Sequence, residues 1–125
     1  MSSSLRKLPD TELEVMQAMW QCECPASRAD IEKIIKDTHP MAMTTLLTLL
    51  TRLSEKGFVR IEKVGRASRY YPLVTREEYL AARSSNFINK LCGGSMSTFA
   101  NALCDSGLSK EDIDELRDLL ERRKL

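Results

Sequence analysis

Residues 43–58 read MTTLLTLLTRLSEKGF, an apolar stretch in which threonines are interspersed with leucines and the first charged residue is Arg52. One set of leucines recurs at the i, i+3, i+4 and i+7 spacing of a buried helix face: Leu46, Leu49, Leu50 and Leu53. The other face is short and polar, so it is either solvated surface or a surface that meets a partner. The stretch predicts a helix from about Thr44 to Lys56, with Gly57 in the left-handed position after its end.

The residues before this helix predict two further helices, which are the first and the second of the chain. LPDTELEVMQAMW, at 8–20, favours a first helix that ends near Gln21. The second helix begins after Ser27, whose side chain can cap it together with Asp30. It ends before Pro40, because the residue preceding a proline is pushed out of the α region. A short helix, a turn and an amphipathic helix with a polar face form the helix-turn-helix pattern.

A β-hairpin is predicted directly after the threonine-bearing helix. FVRIEKV at 58–64 alternates imperfectly, Gly65-Arg66 is a turn signal, and SRYYPL at 68–73 resumes with two tyrosines. We interpret this hairpin as the wing of a winged helix-turn-helix. The alternative is a solvated hairpin whose charges only keep its edge from aggregating.

The charge distribution favours nucleic acid as the partner, although the formal net charge is only +1. Residues 52–69 carry six basic and two acidic side chains, whereas residues 75–125 carry eight basic and nine acidic ones. The local field, and not the net charge, decides whether a surface attracts phosphate. The basic segment begins where the threonine-bearing helix ends.

We therefore expect this helix to enter a major groove, where threonine methyls can touch thymine methyls and hydroxyls can bond base edges. Leu47 would make that readout more apolar, and the cations would contact phosphates. Thr44 has an alternative role as helix N-cap, and Arg52 could instead pack its stem against Trp20 or pair with Glu55. The predicted DNA-binding residues are Thr44, Thr45, Leu47, Thr48, Arg52, Lys63, Arg66 and Arg69.

Residues 75–125 predict three further helices with apolar stripes. Thr75 with Glu78, and Ser109 with Asp112, form capping-box patterns, and Gly93-Gly94 ends the first of these helices. About fifty residues cannot bury all these stripes among themselves. The helices therefore either pack back on the first domain or pair with another chain. The candidate dimerisation residues are Phe87, Ile88, Leu91, Phe99, Leu103, Ile113, Leu116 and Leu120. Phe87, Ile88 and Phe99 could instead belong to an intrachain core.

The cysteines and the single histidine give little support to a metal site or an enzyme. The four cysteines are irregularly spaced, and Cys22-x-Cys24 with His39 offers no obvious fourth ligand, so we predict no metal and no cofactor. No nucleophile has a base at recognisable spacing. MSSSLRKLPD at 1–10 lacks an apolar signal-peptide region, and we expect a cytoplasmic protein without membrane insertion. The competing function is a helical protein-interaction adaptor without DNA binding.

Several segments together resemble the penicillinase-repressor family of the BlaI/MecI type, which includes copper-responsive relatives. They are the first helix, TTLLTLLTRLSEKGFV at 44–59, the hairpin ending RYYPLV, SSNFINKLCGG at 84–94 and LSKEDIDELRDLL at 108–120. The resemblance covers nearly the whole chain. It implies a mainly α fold with a β-hairpin wing, in which residues 1–74 form a winged helix-turn-helix DNA-binding domain and residues 75–125 a helical dimerisation domain.

The resemblance also implies a function and a mode of relief. The family's members are homodimeric transcriptional repressors that bind a palindromic operator, usually of β-lactam resistance genes or of a sensor-protease operon. A membrane-bound sensor metalloprotease leads to cleavage of the repressor between an asparagine and a phenylalanine. Here the corresponding position is Asn101-Ala102, so the phenylalanine is missing, and the C-terminal LRDLLERRKL lacks the cysteines of the copper-responsive branch.

Overall fold

The computed structural model describes residues 5–123; residues 1–4, which belong to the segment used to predict the absence of a signal peptide, and residues 124–125 lie outside that range. Within it the chain is mainly helical, with a small antiparallel sheet, as predicted. The elements are α1 Asp10–Trp20, β1 Ala26–Ser27, α2 Arg28–Thr38, α3 Met43–Glu55, β2 Val59–Val64, β3 Ala67–Pro72, α4 Arg76–Asn86, a π-helical turn at Phe87–Leu91, α5 Met96–Asp105 and α6 Lys110–Arg123.

Helix α3 packs into the core because its leucines recur at the spacing that places them on one face. Leu46, Leu49, Leu50 and Leu53 are all buried, which confirms the predicted core face. At the end of the helix the N–H of Phe58 donates to the carbonyl of Leu53 at 2.9 Å, and the N–H of Gly57 donates to Ser54 at 3.1 Å. These two bonds form a Schellman motif, which needs Gly57 at its φ of +83°.

Helix α2 begins with the predicted capping box. The N–H of Asp30 donates to Ser27 Oγ at 3.0 Å, and the N–H of Ser27 donates to Asp30 Oδ2 at 3.1 Å. Ser27 Oγ thereby accepts from one of the first-turn N–H groups that have no partner within the helix. The helix ends at Thr38, ahead of Pro40, as expected from the proline.

The sheet has the strand order β1-β3-β2, with both pairs antiparallel. Strands β2 and β3 form the predicted hairpin, in which Ile61 pairs with Tyr70 and Glu62 with Arg69. Strand β1 was not predicted, because two residues are too short to show an alternating pattern. It pairs Ser27 with Arg69, and this pairing brings the start of α2 next to the wing.

One charged side chain, Glu12, is buried within the described residues, and it forms an ion pair with Lys56. This pair joins α1 to the C-cap residue of α3. The surrounding core consists of Leu8, Val15, Met16, Ala18, Met19, Ala26, Ile31, Ile35, Leu46, Leu49, Leu50, Leu53, Phe58, Val59, Tyr70, Val74 and Tyr79.

The chain divides into two compact units, one up to Ala82 and one from Arg83 onward. Tyr79 belongs to the first unit: its ring packs on Phe58 at a centroid distance of 5.9 Å, and its hydroxyl accepts a hydrogen bond from the N–H of Leu8 at 2.9 Å. The predicted boundary between the DNA-binding and the dimerisation domain, after residue 74, stays a prediction. The two compact units divide after Ala82, eight residues later.

The segment after Ala82 differs from the single long helix that the sequence predicts up to the paired glycines. The α-helical hydrogen bonding ends at Asn86, and the next turn is wider, with the N–H of Cys92 donating to the carbonyl of Phe87 at 3.3 Å. A π-helical turn accommodates one extra residue in this way. Gly93 and Gly94 then take positive φ values, which end the helical path before α5 begins.

Candidate nucleic-acid interface

Helix α3 exposes the face that the sequence assigns to DNA. Thr44, Thr45, Leu47, Thr48 and Arg52 are all exposed, opposite the buried leucines. The predicted N-cap role of Thr44 is wrong: Ala42 is the N-cap with extended backbone dihedrals, the helix begins at Met43, and no side chain caps it. Thr44 lies inside the first turn, and its side chain points to the exposed face.

Two threonine hydroxyls of this face are engaged within the helix. Thr48 Oγ1 donates to the carbonyl of Thr44 at 2.9 Å, and Thr51 Oγ1 donates to the carbonyl of Leu47 at 3.0 Å. Thr51 is exposed and follows Thr44 and Thr48 at helical spacing, so it belongs to the same face. It is missing from the predicted site, although a count of i+3 and i+7 positions from Thr48 and Thr44 would have found it.

The wing presents its cations around a tight turn. Gly65 has a φ of +64°, which lets the chain reverse between β2 and β3 and leaves Arg66 exposed at the tip. Lys63 is exposed before the turn and Arg69 is half-buried after it. The hairpin that the sequence predicts as a wing is thus present, with its three cations at and beside the tip.

A shallow groove joins the wing to α3 and to the start of α2. Leu47 lines it from α3, and Lys63, Arg66 and Arg69 line it from the wing. Arg28, the first residue of α2, lines the same groove and is exposed, but it is not among the predicted DNA-binding residues. Its position depends on the pairing of β1 with β3, which leaves no local pattern in the sequence.

The cations of this interface are available to an anion. Among residues 5–123, ion pairs involve Lys56, Arg60, Arg117 and Arg122, whereas Arg28, Arg52, Lys63, Arg66 and Arg69 form none. The alternative pairing of Arg52 with Glu55 is therefore wrong.

Two carboxylates lie near these cations, and each is already engaged. Hydrogen bonds from Ser27, first from its backbone N–H and then from its side chain, lower the pKa of Asp30, and the charges of Arg69 and Lys33 add to this effect. On the wing, Glu62 accepts a hydrogen bond from the Tyr71 hydroxyl at 2.9 Å, which raises the pKa of Tyr71. Arg60 lies 4.0 Å over the Tyr71 ring and 3.6 Å from Glu62, so it is held on the sheet.

The predicted dimerisation residues all lie in the second unit, and none of them is buried. Phe87 is 40% exposed and Leu91 75% exposed, and Phe87 forms an edge-to-face contact with Phe99 at 5.9 Å. No residue of α5 or α6 is buried. Asn101 and Ala102 are exposed within α5. The half-buried members of the predicted set are Ile88, Phe99, Leu103, Ile113 and Leu116, and Leu120 is exposed.

Comparison with known proteins assigns the chain to a family. The family model described as penicillinase repressor matches residues 8–122. The chain belongs to the penicillinase repressor family. It is 32% identical to the penicillinase repressor of Bacillus licheniformis over 96% of both chains. It is 34% identical to the methicillin resistance regulatory protein MecI of Staphylococcus aureus strain N315, over 98% of this chain and all of that one.

Solved structures of a family member confirm the winged-helix fold. The solution structure of the DNA-binding domain of the repressor BlaI matches 58% of this chain and 88% of that domain, at 30% identity and a TM-score of 0.51. The monomeric form of B. licheniformis BlaI in complex with the blaP half-operator matches 59% of this chain and 89% of that chain, at 30% identity and a TM-score of 0.50.

The penicillinase repressor family consists of transcriptional repressors and not of enzymes. Within the described range, no helix combines the length and the apolar character needed to cross a membrane. The part of the chain that the structure covers also holds no cluster of three or more His, Cys, Asp or Glu side chains able to bind a metal. Cys22 is half-buried, with Sγ 3.4 Å from the carbonyl of Ala18, and burial raises its pKa, whereas Cys24 is exposed.

Proposed function

We propose that this chain is a transcriptional repressor that binds duplex DNA through α3, the wing and the start of α2. The observation that carries the proposal is the convergence of four cations without ion pairs in one groove beside α3, with a fifth, Arg52, on the exposed face of α3 itself. A surface of this kind attracts the phosphate backbone. The family and the BlaI–half-operator complex support DNA binding as the function.

The two parts of this surface do different work. Helix α3 enters the major groove, which is wide enough to admit a helix, and its exposed residues face the base edges. The five cations bind phosphates on the flanking backbone, where they fix the orientation of α3 without reading sequence; they are Arg28, Arg52, Lys63, Arg66 and Arg69. The Glu12–Lys56 ion pair and the Schellman motif at Gly57 hold α3 at a fixed angle to the wing.

We also propose a homodimer formed by residues of the second unit. The large apolar side chains left exposed there are Phe87, Leu91, Met96, Leu119 and Leu120, and α5 and α6 bury none of their own residues. Burying this surface against a second copy stabilises both chains by roughly 25 cal/mol for each Å² of apolar surface. A two-fold dimer presents two copies of α3 and therefore binds an inverted repeat.

The regulated genes follow from the relatives. Because relatives at 32% and 34% identity carry the names penicillinase repressor and methicillin resistance regulatory protein, we propose an operator in front of a β-lactam resistance gene or a related sensor-protease operon. The protein acts in the cytoplasm, where the DNA is.

Relief by a membrane sensor metalloprotease is a separate proposal. Asn101 and Ala102, which stand at the candidate cleavage position, are exposed but lie in the middle of α5. Proteolytic nicking favours exposed loop tips, so cleavage here requires local unwinding of α5. Incubating the purified chain with the sensor's protease domain and identifying the new N-terminus by mass spectrometry tests this; a fragment beginning at Ala102 supports cleavage, and an intact chain contradicts it.

In vitro selection of bound DNA tests the function itself. The full chain is incubated with a pool of random duplexes, and the bound fraction is amplified and sequenced. We expect an inverted repeat whose half-sites are centred about one helical turn, or a multiple of it, apart. A pool without enrichment would contradict the repressor function and favour the helical adaptor that binds only protein.

A further inference from the structure

Ahead of Arg52, the exposed face of α3 lacks the side chains that usually read bases. Bidentate base contacts come from Arg, Lys, Asn and Gln, and acidic side chains accept from cytosine. Residues 43–51 contain none of these types. What the helix offers at the spacing i, i+3, i+4 and i+7 is one contiguous patch: Thr44, Leu47, Thr48 and Thr51, all exposed.

Hydrogen bonds inside α3 reduce the number of groups in this patch that can donate to a base. A threonine hydroxyl has a single proton to donate, and Thr48 and Thr51 already donate theirs to the carbonyls of Thr44 and Leu47. Neither hydroxyl can donate to guanine or thymine without breaking a bond within the helix. At Leu47, Thr48 and Thr51 the groups left for the groove are two hydroxyl oxygens that can only accept, the threonine methyls, and the side chain of Leu47, which is 37% exposed.

We propose that α3 reads the 5-methyl groups of thymines, with Leu47, Thr48 and Thr51 as the residues that determine specificity. In the major groove the 5-methyl of thymine is the apolar feature that distinguishes one base from the others. Leu47 also lines the groove shared with the wing, so the cations that hold the backbone set the depth at which its side chain meets the bases. This inference rests on the proposed function, and it adds the class of DNA: half-sites with thymine at the base pairs that α3 covers.

The experiment removes the methyl group and leaves base pairing unchanged. The best inverted repeat from in vitro selection is synthesised with deoxyuridine in place of single thymines in both half-sites. Binding of the full chain is measured by fluorescence anisotropy at one salt concentration. At positions under α3 we expect each lost methyl to weaken binding about four-fold, the amount that one buried methylene is worth. A thymine outside the half-sites is the matched control, and its replacement leaves the affinity unchanged.

A double-mutant cycle assigns the effect to a residue. Leu47 is exposed, and alanine is a good helix former, so Leu47→Ala keeps the fold. The variant should bind the selected repeat more weakly and no longer distinguish thymine from deoxyuridine at the position that Leu47 covers. A Thr51→Val variant, which keeps a methyl and loses the hydroxyl, should retain the discrimination.

The failures of this inference and of the proposed function are distinct. Tight and sequence-specific binding of the repeat that is equal for thymine and deoxyuridine at every position would overturn methyl readout and leave the repressor intact. The same discrimination in wild type and in Leu47→Ala would overturn the role of Leu47. A chain that binds no duplex at all refutes the proposed function, and methyl readout with it.

Discussion

Replacing Arg66 and Arg69 together with alanine should weaken binding to every duplex and flatten its dependence on salt. Counted over the proposed dimer, the interface holds ten cations without ion pairs, because each chain contributes Arg28, Arg52, Lys63, Arg66 and Arg69. If each neutralises one phosphate, raising salt from about 50 to 200 mM costs wild type roughly 10⁵-fold in affinity. The variant keeps six of these cations, and the same change should cost it about 10³-fold.

The assay is fluorescence anisotropy at four or more salt concentrations, on the selected repeat and on a random duplex of equal length. Because phosphate contacts carry no sequence information, the loss should be similar on both duplexes. Arg117→Ala with Arg122→Ala removes the same charge from α6, where both arginines are paired with aspartates, and should leave the slope unchanged. A wing variant with the slope of wild type, or a loss confined to the selected repeat, would refute the phosphate role of the wing.

Three further predictions concern stability and assembly. Tyr79→Phe leaves the buried N–H of Leu8 without its acceptor and should lower the free energy of unfolding by about 1–3 kcal/mol in a urea titration; an unchanged midpoint would show that this bond contributes nothing. Leu91→Glu places a charge on the apolar surface of the second unit and should give monomers in sedimentation, whereas Leu73→Glu, at a similarly exposed leucine of the first unit, should not; monomers or dimers from both would contradict the dimer surface. The folded-state pKa of Asp30 is lowered, so the stabilisation that its carboxylate provides is present at neutral pH and is lost as pH falls through that pKa. The difference in unfolding free energy between wild type and Asp30→Ala should therefore disappear in acid. A difference that persists in acid would argue against stabilisation by the charged cap.

The parts of the fold that the sequence predicted are those with local patterns. The leucines of α3 and Gly57 define a helix and its end within fifteen residues, and the turn at Gly65 lies between two strands that carry β-branched or aromatic residues. The capping boxes at Ser27 and Thr75 are equally local, since each joins residues three apart.

The parts that the sequence did not predict depend on contacts between distant residues. Arg28 joins the interface only because β1 pairs with β3, some forty residues later in the chain. Tyr79 enters the first core through a partner 71 residues away, so no local pattern could assign it to that unit. Thr51 is different, because its helical spacing from Thr44 and Thr48 is readable from the sequence alone.

Mapping the bound surface by NMR tests the central claim most directly. Amide shifts of the ¹⁵N-labelled full chain are followed while the selected duplex is added, with a scrambled duplex as control. We predict that the perturbed amides cluster in α3, in the wing between Lys63 and Arg69, and at Arg28, and that those of α1 move little. Perturbations centred on other surfaces, or none in α3 and the wing while the duplex is bound, would contradict DNA binding through this interface.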